Sequence, residues 1–365
     1  MPSPSPESFE HGRPSTTAVV LFNLGTPAAP TAPAVRRYLR EFLADPRVIE
    51  VPRAVWLPIL HGIIVPFRSP RTAAKYARIW QSAGSPLAVA TAALERALQA
   101  ELQRRGHHLT VRHAMRYGDP ATGAVLDELH AQGATRLLGV PLYPQYSAAT
   151  TATALDAVGA WLRGQRRQPA LRWVRNFADD PGYIESLAAR VRAHWAEHGR
   201  PDRLVMSFHG MPRRTLLRGD PYHCECHKTA RLLAEALGLD DKQYLLSFQS
   251  RFGAQEWLQP YTEPSLRELA RAGVRRVDVV CPGFVADCLE TLEEIAIEGK
   301  QAFLSSGGSE FHYIACLNDD AQWVGALADL VERELSGWPT RTPPDTAQLA
   351  ASAARARALR SVQEA

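Results

Sequence analysis

No apolar run in this chain of 365 residues approaches the roughly 18 that a bilayer-spanning helix needs. An integral helical membrane protein is therefore not expected. The first residues, Met1-Pro2-Ser3-Pro4-Ser5-Pro6, lack the basic region and apolar core of a secretory signal. Cysteine is scarce: there are five, an odd number without framework spacing, which argues against a disulfide scaffold and for reduced thiols in a cytoplasm-like compartment. Cys224-Glu225-Cys226-His227, with His223 beside it, lacks the second half that makes a zinc site convincing. No Walker A motif occurs, no G-x-G-x-x-G follows the first strand pattern, and there is no G-x-S-x-G, which removes nucleotide-driven, dehydrogenase and hydrolase readings. A formal charge of +4 without an RRM, zinc-finger or basic-helix signature excludes nucleic acid as the expected partner.

What remains is a chain with 45% hydrophobic and 22% charged residues, long enough for two globular domains. Short β-type runs alternate with amphipathic stretches, which predicts an α/β fold with parallel sheets covered by helices. The expected strands are Ala18–Asn23, Thr110–Met115, Arg136–Tyr143, Arg172–Val174, Arg203–Phe208, Gln243–Phe248, Val277–Cys281 and His312–Ala315. The pattern repeats internally. Phe22-Asn23-Leu24-Gly25-Thr26-Pro27 parallels Ser207-Phe208-His209-Gly210-Met211-Pro212, and Arg116-Tyr117-Gly118 parallels Arg251-Phe252-Gly253. Gln132–Arg136 leads into its strand as Ala272–Arg276 leads into the later one. Two similar lobes follow, with boundaries expected at 17–165 and 166–335 and a cleft between matching strand ends. Residues 1–16 and 336–365 are expected to lie outside the folded core.

The most informative stretch runs C-P-G-F-V-A-D-C-L-E-T-L-E-E-I-A-I-E from Cys281 to Glu298. On a helix Asp287, Glu290, Glu294 and Glu298 share one face, with Leu289, Leu292 and Ala296 opposite. Acids stacked this way repel by roughly a few tenths of a kcal/mol per pair. An acidic face is most often simply solvated. This one begins at the carboxyl end of a strand, where α/β proteins build their sites, which favours a carboxylate ladder that moves cations or protons.

His209 also closes a strand, and Gly210 leaves room beside an imidazole suited to accept a proton at neutral pH. The segment 53–71 is strongly apolar but broken by Pro58, Gly62 and Pro66. It reads either as a buried kinked segment or as an apolar lip over a large flat ligand, and Arg53, Arg68 and Arg71 favour the lip because they can meet ligand carboxylates or anionic headgroups. Aromatic residues follow strand ends at Tyr117, Tyr143, Tyr146, Phe252 and Trp257, which suggests a π-faced pocket although most aromatics are core.

Over most of residues 17–330 the chain resembles the ferrochelatase family. The matching pieces are L-F-N-L-G-T-P at Leu21–Pro27, R-S-P-R from Arg68, A-G-S-P ending at Pro86, S-F-H-G-M-P at Ser207–Pro212, and the acidic run above. The resemblance implies two Rossmann-like lobes that bind porphyrin, not nucleotide, in their cleft. It implies insertion of Fe²⁺ into protoporphyrin IX, with His209, Glu290 and Glu294 catalytic. Leu24, Arg68, Tyr76, Ser85, Arg116, Tyr117 and Trp257 would contact porphyrin, with Arg68 near a propionate at the mouth. His209 and Glu290 would meet the substrate Fe²⁺, and Asp287, Glu294 and Glu298 would extend the ladder, on a helix the family describes as π-helical. Many members carry D-H-x-E where this chain has Asp287-Cys288-Leu289-Glu290. Fe²⁺ being a substrate, no resident cofactor is expected, and the cluster-ligating cysteines of some members are missing. A cytoplasmic protein is expected, with peripheral contact at the inner membrane face open through the lip. Nothing in the sequence sets an oligomeric state or a role for Cys224, Cys226 or Cys288. Coproporphyrin insertion, a cobalt or nickel tetrapyrrole chelatase, and a non-catalytic tetrapyrrole carrier are the competing readings.

Overall fold

A computed structural model of the chain describes residues 11–253 and 255–363, with side chains described through residue 359. Eight strands, β1 (Thr16–Gly25), β2 (Thr110–Tyr117), β3 (Ala134–Pro141), β4 (Ala170–Trp173), β5 (Arg203–His209), β6 (Tyr244–Gln249), β7 (Arg276–Val280) and β8 (Glu310–Tyr313), overlap the eight expected ones. They form two four-stranded parallel sheets, ordered β2-β1-β3-β4 and β6-β5-β7-β8. The identical order in the two sheets is the structural form of the sequence repeat. It extends to detail: the Met115 N–H donates to the Pro120 carbonyl and the Phe248 N–H to the Pro260 carbonyl, in each case just before the next helix.

Thirteen α-helices are described: α1 (Ala32–Leu43), α2 (Arg53–Ile59), α3 (Val65–Ile79), α4 (Pro86–Arg104), α5 (Thr122–Ala131), α6 (Thr153–Gly164), α7 (Pro181–His198), α8 (Arg213–Leu217), α9 (Tyr222–Leu237), α10 (Thr262–Arg271), α11 (Lys300–Ser305), α12 (Ala321–Glu334) and α13 (Thr346–Gln363). Three π-wound segments join them, at Leu60–Ile64, Ala148–Ala152 and Glu290–Gly299.

Strand β1 is apolar along nearly its whole length because both faces of a parallel sheet are covered. Its outer face packs with α5 and α6 through Val20, Phe22, Leu126, Leu129 and Val158. The second sheet is covered likewise by α10 and α11 through Val277, Val279, Leu266 and Phe303. Between the lobes one continuous core joins Leu21 and Val140 of the first sheet to Met206 and Phe208 of the second through α4, α7, α9 and α12. A fourth cluster seats α1 to α3 on Tyr117 and Leu289.

Two expected boundaries shift. Strand β4 hydrogen-bonds to β3, so the first lobe runs past Trp173 and does not end at 165. The tail also begins later than residue 336. Trp338 packs on the core beneath Arg172, whose guanidinium lies 4.4 Å from its ring, and buried Thr340 meets His107 Nδ1 at 2.8 Å. At the other end, residues 1–10 lie outside the described residues, and Gly12 approaches Ala353 of α13 closely enough that a Cβ would stand 2.7 Å from the alanine methyl.

Gly139 in β3 leaves space for Trp173, since a Cβ there would lie 2.2 Å from the indole. Gly139→Ala should destabilise the protein by about 1–3 kcal/mol through overpacking. The check is a lowered urea midpoint with an unchanged far-UV circular dichroism spectrum.

Candidate functional site

In each sheet the strand order reverses at the first strand, and ligand crevices form at the carboxyl ends of strands beside such a switch point. In the second lobe β5 delivers His209 there, and β7 runs through a turn at Cys281–Phe284 towards the π-helix Glu290–Gly299. The base and the acids read from sequence thus converge by topology.

His209 turns into Gly210 against the end of β6. A Cβ on Gly210 would lie 2.5 Å from the Gln249 carbonyl oxygen and 3.1 Å from the Trp257 ring, so close approach requires glycine. The His209 Nδ1 sits 2.6 Å from the Gly210 carbonyl. A carbonyl can only accept, so Nδ1 carries the hydrogen and the Nε2 of the neutral ring keeps its lone pair. The Tyr222 hydroxyl fixes the His209 carbonyl at 2.9 Å, and the Phe284 ring stands 6.4 Å away.

The π-helix is tied down from β6. Gln249 Nε2 donates to the Glu290 carbonyl at 2.7 Å, and its Oε1 accepts from the Ser207 hydroxyl at 2.7 Å. Ser250 adopts a left-handed backbone (φ 63°), which aims both its N–H (2.6 Å) and its hydroxyl at Glu294. Burial pushes the Glu294 carboxyl up; the Ser250 bonds, and His209 when it carries a proton, pull it down, Glu290 raises it again, and the net shift is upward.

Glu290 is the electrostatic centre of the cleft. Among the described residues no Lys or Arg forms an ion pair with it, and the buried Cys288 thiol nearby is pushed up by burial and then by Glu290. The Tyr76 hydroxyl is raised by burial and then by Glu290. Burial pulls the Arg68 guanidinium down and Glu290 partly restores it. Arg68 lies 4.6 Å over the Phe252 ring and has no hydrogen-bond partner among the described residues. His209, Glu290 and Glu294 thus lie close enough to act on one another, as do Glu290, Arg68 and Tyr76, while Trp257 stands beside Gly210 and Leu24 packs in the cluster that holds Tyr76 and Leu289.

Other expected residues stand differently. Asp287 is not an open rung: its oxygens accept from Asn318 Nδ2 (2.7 Å), the Tyr313 hydroxyl (2.5 Å) and Thr291 Oγ1 (3.2 Å). Glu298 is exposed and paired with Lys75 Nζ at 2.8 Å. The π-winding buries Thr291, Glu293, Ile295 and Gly299, a face that differs from the Leu289, Leu292 and Ala296 face expected of an α-helix. Ser85 is a buried N-cap, its Oγ accepting from the Ala88 N–H at 3.2 Å. Tyr117 is fully buried with its hydroxyl on Asp45 at 3.0 Å, and Arg116 is committed to Asp45 and to Thr153 Oγ1 at 2.7 Å. Cys226 is buried against Tyr222 while Cys224 faces outward, as positions two apart on a helix must.

At the mouth, α2, the following π-turn and α3 expose Val55, Ile59, Ile63 and Phe67, spaced by four residues as one row. Phe67 is 69% exposed, and the exposed Phe252 lies under the guanidinium of its neighbour Arg68.

The sequence matches the ferrochelatase family over residues 16–335. The chain belongs to the ferrochelatase family. The ferrochelatase of Polaromonas sp. strain JS666 is 58% identical over 361 residues, covering 98% of both chains, and that of Methylibium petroleiphilum is 58% identical over 357 residues, again covering 98% of both. Among solved structures, SirB from Bacillus subtilis with Fe³⁺ superposes with a TM-score of 0.54 over 88% of this chain and 96% of its own at 13% identity, which shows a shared fold.

Sequence reasoning missed Gln249, Ser250, Glu293 and Asn318. Gln249-Ser250 follow an expected strand end, a signal that was there to read. Glu293 carried none, because an α-helical projection sets it off the acidic face.

Because the Glu294 pKa is raised above its ordinary value of 4.5, the folded state holds the proton more tightly than the unfolded chain. Ionisation as pH rises from that value through the folded pKa therefore costs stability. Glu294→Gln should melt at or above the wild-type temperature near neutral pH, the difference closing as pH falls towards 4.5. Thermal melts across that range check it, and a variant less stable throughout would contradict it.

Proposed function

We propose that the chain is itself a ferrochelatase that inserts Fe²⁺ into protoporphyrin IX, releases two protons and yields protohaem. The observation that carries this reading is the Nε2 lone pair of a neutral His209 close to a Glu290 carboxylate that pairs with no Lys or Arg among the described residues. Metallation exchanges two pyrrole protons for one dication, so charge balances when a base and a metal-delivering group work in one cleft. His209 accepts pyrrole protons from the ring. Glu290 offers Fe²⁺ an oxygen ligand weak enough to release it. Glu294, whose carboxyl burial biases towards the protonated form, passes protons along the helix. Arg68 meets a propionate, and Tyr76 and Trp257 wall the macrocycle. The commitment of Arg116 to Asp45 leaves fewer cations for four propionates, which favours protoporphyrin over coproporphyrin.

The row Val55, Ile59, Ile63 and Phe67, flanked by exposed Arg53 and Arg71, supports peripheral contact with an anionic membrane. No helix among the described residues is long and apolar enough to cross one. Phe67→Asp should lose cosedimentation with phosphatidylserine vesicles; undiminished cosedimentation counts against the contact.

The deciding assay is metalloporphyrin formation by purified protein with Fe²⁺ or Zn²⁺ and either porphyrin. His209→Ala should lose nearly all insertion while still quenching porphyrin fluorescence, and Glu294→Gln should raise the Fe²⁺ requirement or lower turnover. Full activity in His209→Ala would remove the histidine from the reaction.

A further inference from the structure

Glu293 is the most buried acid of the π-helix, with a side chain 1% exposed, although it lies off the row facing the cleft. A carboxylate withdrawn so far from water needs close cations. It has two, both from α3: Lys75 Nζ at 2.9 Å and Arg78 Nη1 at 2.8 Å. Lys75 also bonds Glu298 at 2.8 Å, so one ammonium spans two acids of the helix. Both cations reach in from half-exposed positions, their side chains 41% and 48% exposed. Burial alone would lower the Lys75 pKa, but its bonds to Glu298 and Glu293 more than offset that and keep it charged.

The partner helix matters because α3 also carries Arg68 and Tyr76, two groups that wall the cleft, and Phe67 of the lip. Glu293 immediately precedes Glu294 and stands three residues after Glu290. The porphyrin wall and the acid face are thus fastened by one ionic cluster behind both, centred on Glu293. π-Winding is rarely sustained beyond one turn, and the ten residues here are held in register by groups outside the helix.

We propose that Glu293, clamped by Lys75 and Arg78, is a positioning residue that sets the distance between the cleft wall on α3 and the acids Glu290 and Glu294. This inference rests on the metal-insertion reading, and its test separates the two. In the full chain, Glu293→Gln should bind protoporphyrin with near wild-type affinity by fluorescence quenching. Its kcat should fall about 10²-fold, as displacement by an ångström can cause, and its KM for Fe²⁺ should rise. Arg78→Met should reproduce the split between kcat and porphyrin affinity, and Arg78→Lys, which keeps the cation, should restore most of kcat. A purely structural role would lower the melting temperature of Glu293→Gln and leave the folded fraction with wild-type kcat and Fe²⁺ KM, and that result overturns the proposal. If Glu293→Gln does not fold, the half-exposed Arg78 pair carries the test, and equal kcat in Arg78→Met and wild type overturns it. A wild-type protein that inserts no metal sinks the functional reading, whereas an active wild type with unaffected clamp variants sinks the clamp alone.

Discussion

Holding a π-wound acidic helix against its own repulsion is the constraint around which the cleft is arranged. π-Winding makes poorer use of backbone hydrogen bonds than α-winding and seldom persists. This helix also brings Glu290, Glu293 and Glu294 together within ten residues. They are met from two elements: the end of β6 supplies Gln249 to the Glu290 backbone carbonyl and Ser250 to the Glu294 carboxyl, and α3 takes Glu293. Just upstream, Asn318 takes Asp287. Ser250 and Asn318 are the two non-glycine residues with positive φ among the described residues, and both use that conformation to reach an acid of this segment. A left-handed non-glycine residue costs of the order of 1 kcal/mol and persists only where surroundings fix it. Here what fixes it is an acid.

The repeat shows where this machinery came from in structural terms. Each lobe follows its third strand with a π-wound segment and then an α-helix: Ala148–Ala152 before α6 in the first, Glu290–Gly299 before α11 in the second. In the first lobe the segment is a five-residue turn of Ala and Thr. In the second it is doubled in length and acidic. The matching first strands diverge likewise, β1 closing on Asn23-Leu24-Gly25 and β5 on His209-Gly210. One topology thus supplies two equivalent strand ends, and the acids and the histidine are gathered at the second, while the first supplies Leu24, packed in one cluster with Tyr76 of α3.

Strand ends were legible in the sequence because buried parallel strands read as continuous apolar runs, and those ends located His209 and the acidic segment without any coordinates. Which acids stay open was not legible. Spacing ranked Asp287 with Glu290, yet donors 26 and 31 residues downstream of Asp287, Tyr313 and Asn318, occupy its carboxylate. The same holds for Arg116 and Tyr117, whose partner Asp45 lies more than 70 positions away. Periodicity describes a helix by itself, whereas satisfaction of a charge depends on what folds against it.

That difference is also what picks out the site. Most carboxylates and guanidiniums near the cleft have found partners: Arg116 with Asp45, Lys75 and Arg78 with Glu293, Asp287 with Asn318. Among the described residues, Arg68 stacks on Phe252 without a hydrogen-bond partner, Glu290 pairs with no Lys or Arg, and the Nε2 of a neutral His209 ring keeps its lone pair. Leaving polar groups half-buried and unmatched costs stability, so a fold that satisfies their neighbours and not these three is complementary to something it binds. An anionic group at Arg68, a cation at Glu290 and a proton at His209 are what a dicarboxylated macrocycle exchanging two protons for a dication would supply.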